Sequence, residues 1–204
     1  MTYGPDFAIS MSWIAWLLSW WLAAWWRKPA VRRPPQLQEV IHLTPTVIGV
    51  WMLFATHAPF ADPTQQVFNG PYPLFEPIRL WSTPIMAGWA CLALAAAGFL
   101  FCWWARVTLG QLWSGNITLK SDHRVVDTGP YRLVRHPIYT GLLLAALATA
   151  LEKATVLAFA GVMLITFGFW LKARFEEGFL RAQLGREAYD AYAARTPMLL
   201  PIKL

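Results

Sequence analysis

Five apolar runs, separated by polar or basic segments, limit what this chain can fold into more than any other feature. The runs are residues 7–26, 43–60, 84–104, 138–151 and 154–171. A helix rises about 1.5 Å per residue, so a run of about 20 residues crosses a hydrocarbon layer of roughly 30 Å. The last two runs are separated only by Glu152 and Lys153, which indicates a helical hairpin whose first arm is short. We therefore predict an all-α integral membrane protein with about five transmembrane helices, forming a single domain over residues 1–204.

Composition supports a membrane protein and disfavours the other common classes. Apolar residues make up 57% of the 204 residues and charged residues 14%, which excludes a disordered chain and is unusual for a soluble domain. The chain has thirteen tryptophans, and tryptophan is enriched at the lipid–water boundary of membrane proteins. The two cysteines and four histidines show no metal-ligand spacing. We expect no metal and no nucleic acid, despite the net charge of +6.

The basic residues predict the orientation in the membrane. Fifteen of the 17 Lys and Arg residues fall in residues 27–42, residues 105–137 and the tail after residue 171. Basic residues concentrate on the cytoplasmic side of membrane proteins. Five crossings then place the N-terminus outside and the C-terminus in the cytoplasm, in a bacterial or archaeal inner membrane. The polar segments, and any active site, are expected at the cytoplasmic face in contact with membrane lipid.

The first dense polar stretch is DTGPYRLVRHPIYTG, residues 127–141. Pro137 suits the first turn of the fourth helix, where its missing N–H has no cost. The N-terminal end of that helix carries partial positive charge, so the neighbouring cationic side chains predict a site for a carboxylate or phosphate. These side chains are Arg132, Arg135 and His136. Alternatively, the arginines are membrane anchors, and Tyr131 and Tyr139 are interfacial aromatics.

The second polar stretch, residues 173–196, contains the adjacent acids Glu176 and Glu177. Neighbouring helical positions point about 100° apart, so we expect one carboxylate to face inward and the other to face solvent. The alternative is a solvated helix face with an ion pair between Glu177 and Arg181. Gly185 is predicted to end this helix, and a short helix carrying Tyr189 and Tyr192 follows.

Together these stretches resemble the isoprenylcysteine carboxyl methyltransferase family. RHPIYTG, preceded by TGPYRLV, is similar to the family pattern R-H-P-x-Y-x-G. EEGFL, followed by LGREAYDAY, is similar to E-E-x-x-L and F-G-x-x-Y-x-x-Y, although Leu184 stands where the family usually has an aromatic. The resemblance covers residues 105–198. Since both motifs occur in order around one hairpin, it is more specific than either motif alone.

The resemblance implies S-adenosylmethionine as methyl donor and S-adenosylhomocysteine as product. It also implies a cytoplasmic-face pocket formed by the loop before the fourth helix, the start of that helix and the C-terminal helices. Its cofactor-binding positions are Tyr131, Arg135, His136, Pro137, Tyr139, Gly141, Glu176, Glu177, Leu180 and Tyr189. Their chemistry suits the cofactor: cations and helix N–H groups for its carboxylate, acids for its ammonium or ribose, and tyrosines for its adenine or sulfonium.

The methyl acceptor is expected to be lipophilic and to arrive from the membrane. A carboxylate acceptor, such as a prenylcysteine-like group, needs a cationic clamp, which Arg174 or Arg132 would supply. A lipid amine or thiol acceptor must lose a proton, which a glutamate such as Glu177 would receive. Two alternatives stay open on the sequence: an NADPH-dependent membrane reductase and a non-enzymatic lipid-binding scaffold.

Overall fold

The computed structural model describes residues 4–25, 36–55, 78–114 and 125–202. Within these ranges the chain forms helices, and its only extended pairing is an isolated β-bridge between Arg79 and Thr155. The α-helices are α1 Pro5–Ala23, α2 Gln36–Phe54, α3 Ile85–Leu109, α4 Pro137–Lys153, α5 Val156–Leu184 and α6 Arg186–Arg195. Two 3-10 turns, Gly110–Leu112 and Gly129–Arg132, lie between α3 and α4 in the sequence. The predicted all-α class is confirmed for this part of the chain.

Three of the described helices are long and apolar enough to cross a membrane. They are Gln36–Phe54, Ile85–Leu112 and Val156–Gln183, and they correspond to the second, third and fifth predicted spans. By the same measure α1 and α4 are not candidates, and α4 has only 17 residues. The chain is thus an integral membrane protein with at least three apolar helices of spanning length. A full crossing by α1 and α4 remains a prediction.

The α4–α5 hairpin turns where the sequence predicted it. Helix α4 ends at Lys153, and Ala154 follows with a left-handed backbone (φ +54°). Thr155 then caps α5, its Oγ1 accepting a hydrogen bond from the Ala158 N–H at 3.2 Å. Pro137 occupies the first position of α4, as its restricted φ favours.

Helix α5 extends beyond the fifth apolar run. That run ends at residue 171, but α5 continues to Leu184 and carries the acidic pair. Residues 172–184 include good helix formers and no proline, so nothing interrupts the hydrogen-bond ladder where the chain leaves the apolar run. Gly185, at φ +96°, ends the helix as predicted. Glu176 and Glu177 therefore lie on a helix that is long and apolar enough to span a membrane.

Close helix contacts are made through glycines. A Cβ on Gly141 of α4 would lie 2.6 Å from the Cys102 Sγ of α3, and a Cβ on Gly161 of α5 would lie 2.6 Å from the Gly49 carbonyl oxygen of α2. Small residues let helix backbones approach closely in membrane proteins. These contacts make α3–α4 and α2–α5 the tightest pairs of the bundle.

The helix ends gather in two layers. At one end, which we call the basic end, α1 and α3 finish, and Arg106 Nη2 donates to the Ala23 carbonyl at 2.9 Å. At the other end, the Leu80 N–H donates to the Ala154 carbonyl at 2.7 Å, and Thr83 Oγ1 donates to the Glu152 carbonyl at 2.7 Å. The order of crossings predicted from the charges stays a prediction.

Candidate functional site

A cavity of about 260 Å³ opens at the basic end of the bundle. Its walls come from α1, the end of α3, the two 3-10 turns with the residues beside them, and helices α4, α5 and α6. Eight of the ten predicted cofactor residues line it, namely Tyr131, Arg135, His136, Pro137, Tyr139, Glu176, Leu180 and Tyr189. The fold thus brings both sequence motifs to one chamber, although Tyr139 and Glu176 are 37 positions apart.

A buried ion cluster lies beside the cavity. The Arg135 guanidinium donates from Nε and Nη2 to the two carboxylate oxygens of Glu177, at 2.7 and 3.2 Å. His136 Nε2 lies 3.0 Å from Glu177 Oε1, which accepts when this nitrogen carries its proton. Glu177 is only 5% exposed, and it is not among the residues that line the cavity. Its carboxylate therefore acts on the chamber through Arg135 and His136, which both line it.

The end of α6 and the segment that follows it also bind Arg135 and His136. Arg135 Nη1 donates to the Ala193 and Thr196 carbonyls at 3.0 and 2.5 Å. The backbone N–H groups of Arg135 and His136 donate to the carbonyls of Pro197 and Met198 at 2.8 and 3.1 Å. This contact of residues 196–199 was missed from the sequence, because the segment carries no motif and interacts mainly through its backbone.

Glu176 and Tyr139 form the polar part of the cavity wall. The Tyr139 hydroxyl donates to Glu176 Oε2 at 2.7 Å. The Tyr139 ring lies parallel to the His136 ring, with centroids 5.2 Å apart, and also stacks on Phe169 at 5.1 Å. Of the two acids, Glu176 is the one that lines the cavity and remains partly exposed. Glu177 is thus the buried acid of the pair, and Glu176 is partly exposed and bonded to Tyr139.

Three further tyrosines close the chamber toward α6. Burial raises the pKa of Tyr131, of Tyr189 and of Tyr192 well above the usual value. These phenols consequently stay protonated at neutral pH and act as hydrogen-bond donors. The Tyr192 hydroxyl donates to the Tyr131 carbonyl at 2.8 Å and ties α6 to the turn before α4.

The opposite wall is aromatic and was not predicted from the sequence. Trp16 and Trp20 of α1 and Trp113 after α3 line the cavity. Trp20 meets Trp113 edge to face at 5.3 Å, and the Arg106 guanidinium lies 4.3 Å from the Trp113 ring centroid. The chain has thirteen tryptophans, and only the packing of α1 against α3 distinguishes these three from lipid-facing ones.

Lys172 is another residue that was not predicted from the sequence. It lies on α5 in a stripe of cavity-lining residues that continues with Phe169, Glu176 and Leu180. Its Nζ is 5.4 Å from the centroid of the Tyr139 ring. The spacing of this stripe matches one helix face, which was the available signal.

The remaining predicted site residues lie outside the cavity wall. Gly141 packs against α3, as described above, rather than facing the chamber. Arg132 and Arg174, the expected cationic clamps, are exposed and do not line the cavity. Within the described ranges no group of three His, Cys, Asp or Glu residues is placed to hold a metal ion.

A family comparison agrees with this geometry. Residues 91–182 match the model of the isoprenylcysteine carboxyl methyltransferase (ICMT) family, a range that holds both motifs and the α4–α5 hairpin. This region is similar to the ICMT family. The matched region supplies both the R-H-P-x-Y-x-G and the E-E-x-x-L residues of the cavity, whereas α1 and α6 lie outside it.

Curated proteins that are similar to this chain carry several names. A probable protein-S-isoprenylcysteine O-methyltransferase of Oryza sativa subsp. indica is 35% identical over 100 residues, 48% of this chain and 52% of the relative. The cobalt-zinc-cadmium resistance protein CzcN of Cupriavidus metallidurans is 30% identical over 124 residues, which are 59% of this chain and 51% of the relative. A methanethiol S-methyltransferase of a Pseudomonas strain is 29% identical over 175 residues, which are 82% of this chain and 61% of the relative. The chain thus spans about half the length of the first two relatives.

Proposed function

We propose that this protein is a membrane methyltransferase that uses S-adenosylmethionine to methylate a lipophilic acceptor at the cytoplasmic face. The observation that carries the proposal is the convergence of both ICMT motifs on one cavity, with the Glu176 carboxylate and the His136 imidazole in its wall. The names of two relatives, an O-methyltransferase and an S-methyltransferase, support methyl transfer as the reaction class.

The residues of the cavity fit the proposed cofactor. When bound, S-adenosylmethionine supplies an electrophilic methyl group on a sulfonium. Glu176 offers an acceptor for an ammonium or ribose hydroxyl, while His136 and the N-terminal end of α4 offer an environment for a carboxylate. The faces of Tyr139, Trp16 and Trp113 suit an adenine or a sulfonium. The volume of about 260 Å³ is close to the lower end for ligand pockets, which start at roughly 300 Å³.

The protein's own contribution would be positioning and the exclusion of water. Glu177 and the 196–199 segment hold Arg135 and His136, and the Tyr139–Glu176 hydrogen bond fixes the carboxylate that faces the chamber. Groups held in this way lose little freedom when a ligand binds, which lowers the entropic part of the barrier. The aromatic wall and the tyrosines of α6 shield the chamber from bulk water.

Calorimetric titration with S-adenosylhomocysteine, in lipid nanodiscs, tests the proposal. We expect one-to-one binding by the wild type, a loss of at least tenfold in affinity for Glu176→Gln, and no measurable binding for His136→Ala. Losing a hydrogen bond to a charged group accounts for a change of this size. His42→Ala is the matched control, because His42 is equally buried but lies on α2 outside the cavity. It is expected to bind like the wild type.

Two other outcomes would replace the proposal. If folded protein ignores S-adenosylhomocysteine but its melting temperature rises with NADPH, the reductase interpretation takes its place, since a ligand of the folded state stabilises it. If neither ligand binds and anionic vesicles alone raise the melting temperature, the protein is a lipid-binding scaffold.

A further inference from the structure

The two ring nitrogens of His136 have different surroundings. Nε2 lies 3.0 Å from Glu177 Oε1, and Glu177 is outside the cavity wall. Nδ1 lies on the side of Glu176, 3.8 Å from its Oε2, and Glu176 lines the cavity. One nitrogen of the imidazole is thus directed into the protein, and the other is directed toward the chamber.

The partner of Nε2 determines which nitrogen carries the proton. Arg135 donates two hydrogen bonds to the Glu177 carboxylate, which is therefore ionised and can only accept. The contact between His136 Nε2 and this carboxylate consequently requires a proton on Nε2. In a neutral imidazole the lone pair is then on Nδ1, the nitrogen on the cavity side.

His136 Nδ1 has no hydrogen-bond partner in the part of the chain that the structure describes. The Glu176 oxygen at 3.8 Å is beyond hydrogen-bond distance and already accepts from the Tyr139 hydroxyl. The ring keeps its orientation because Nε2 is bonded to Glu177 and one face lies parallel to the Tyr139 ring. An imidazole that is oriented by a carboxylate at one nitrogen and open at the other is the arrangement of a general base.

The cations of the cavity wall interact with protein groups. All three nitrogens of the Arg135 guanidinium donate to protein acceptors. The Lys172 ammonium lies over the Tyr139 ring, and the charges of two acids, Glu176 and Glu39, act on it. A carboxylate acceptor would have to compete with these contacts for a cation, whereas a neutral acceptor requires a base and space for its apolar body.

We propose that His136 is the catalytic base of the site and that the methyl acceptor is a lipophilic thiol, which gives its proton to Nδ1. This inference rests on the proposed function, and it leaves the N-terminal end of α4 for the carboxylate of the cofactor. Ile138, Leu142 and Phe169 line the same cavity and suit an apolar body. A thiol is neutral at neutral pH, so it reaches this wall without the dehydration cost of an ammonium.

Atoms and charges balance for such an acceptor. The S–H bond breaks, its proton goes to His136 Nδ1, and its electron pair stays on the sulfur. A lone pair of that sulfur forms the new bond to the methyl carbon. The bond from this carbon to the sulfonium breaks, and its electron pair stays on the departing sulfur. Two neutral thioethers and an imidazolium result, and the imidazolium lies between Glu177 and Glu176 until its proton passes to water.

Two thiols of similar size but different acidity test the inference. At about pH 8 cyclohexanethiol is almost entirely neutral, whereas thiophenol is mostly a thiolate and needs no base. In nanodiscs with saturating S-adenosylmethionine, the rate of S-adenosylhomocysteine formation measures methylation. We expect the wild type to methylate both thiols at rates within tenfold of each other. If it methylates cyclohexanethiol more than 100-fold more slowly than thiophenol, no base acts and the inference is overturned without any variant.

His136→Gln removes the basic nitrogen and keeps an N–H that can donate to Glu177. We expect this variant to methylate cyclohexanethiol about 100-fold more slowly than the wild type, because a general base contributes about 10²–10⁴-fold. Its rate with thiophenol should fall by less than tenfold. A weaker cofactor site or a less stable fold lowers both rates alike, so the ratio of the two rates reports the base alone. An unchanged ratio would contradict the role of His136.

Glu176→Gln distinguishes the two candidate bases. An imidazole is a stronger base than a carboxylate, so we expect Glu176→Gln to lower both rates by the same factor. A loss confined to cyclohexanethiol in this variant, and absent from His136→Gln, would make Glu176 the base. His42→Ala is the matched control, because His42 is equally buried but lies outside the cavity. It should keep the wild-type ratio.

The wild type also separates this inference from the proposed function. If it binds S-adenosylhomocysteine but methylates neither thiol, the inference is overturned while the proposed function stands. Dodecanoate, assayed alongside, then shows whether a carboxylate is the acceptor. If the wild type fails to bind S-adenosylhomocysteine, the proposed function fails first, and the inference fails with it.

Discussion

Glu177 carries a buried negative charge that is paired with the Arg135 guanidinium. Its carboxylate receives two bonds from one guanidinium and lies within hydrogen-bond distance of His136. Forming such a cluster gains little net stability, because each charge must be dehydrated, but removing one partner leaves the others unmatched. The carboxylate is therefore a positioning group for the two residues that reach the cavity.

We expect Glu177→Gln to lower the free energy of unfolding by about 3 kcal/mol, because Arg135 would keep its charge without a buried counter-charge. For a chain of this size each kcal/mol corresponds to roughly 2–4 °C in melting temperature. Thermal unfolding in detergent, followed by circular dichroism, measures the difference. The affinity for S-adenosylhomocysteine should fall as well, since His136 loses its partner.

Asp190→Asn is the control for removing an ion pair as such. The Arg181–Asp190 pair lies on the surface, with 41% and 53% of the side chains exposed. Exposed pairs contribute about 1 kcal/mol or less, so this variant should melt close to the wild type. Equal melting temperatures for Glu177→Gln and Asp190→Asn would contradict the role given to Glu177.

At the scale of helices, the α3–α4 contact explains Gly141 without a cofactor. We expect Gly141→Ala to destabilise the protein by about 1–3 kcal/mol, because the new methyl group would meet Cys102 at 2.6 Å and must push the helices apart. Thermal unfolding measures this effect. A titration with S-adenosylhomocysteine, run below the melting transition, measures whether the cavity is affected.

Gly178→Ala is the matched control for that substitution. Gly178 lies on α5 inside the acidic motif, and a Cβ there meets nothing within 4 Å. Alanine favours a helix over glycine by about 0.5–1 kcal/mol, so this variant should be neutral or slightly more stable. If Gly141→Ala instead keeps its melting temperature and loses cofactor affinity, the packing account is wrong and the family expectation for Gly141 is right.

Among the elements, α4 was easier to predict than α5. The start of α4 is marked by Pro137 and its end by Glu152 and Lys153, so local chemistry determines both ends. Helix α5 has no such mark at residue 171, where hydrophobicity falls but helix propensity does not. Hydropathy predicts where a chain leaves the membrane. It does not predict where a helix ends when the helix continues into water.

For the whole molecule, the predicted alternation of crossings is testable by chemical labelling. We expect a cysteine at position 4 (Gly4→Cys) to react with a membrane-impermeant maleimide in intact spheroplasts. A cysteine at position 202 (Ile202→Cys) should react only after the membrane is permeabilised. The wild type is the control, because Cys102 is buried and both native cysteines lie within α3. Labelling of both positions before permeabilisation would contradict five crossings.

The sequence predicted only those site residues that lie in or beside a motif. Residues 131–139 and 176–180 were found because each group lies within a few positions of a motif. Trp16, Trp20 and Trp113 were not found, because their place in the wall depends on how α1 and α3 pack. Lys172 lies next to the acidic motif, yet it resembles an ordinary membrane anchor until its direction on α5 is known.

The contact of Arg135 and His136 with residues 196–199 also determines when the cavity is completed during synthesis of the chain. Ribosomes make α4 and α5 well before they reach Pro197 and Met198, whose carbonyls receive the two backbone hydrogen bonds. The hairpin can enter the membrane during synthesis, but Arg135 lacks its final partners until translation has passed Pro197. The chamber is therefore completed after insertion. A premature stop at codon 196 would give a chain that keeps every motif residue but lacks the segment that orients them.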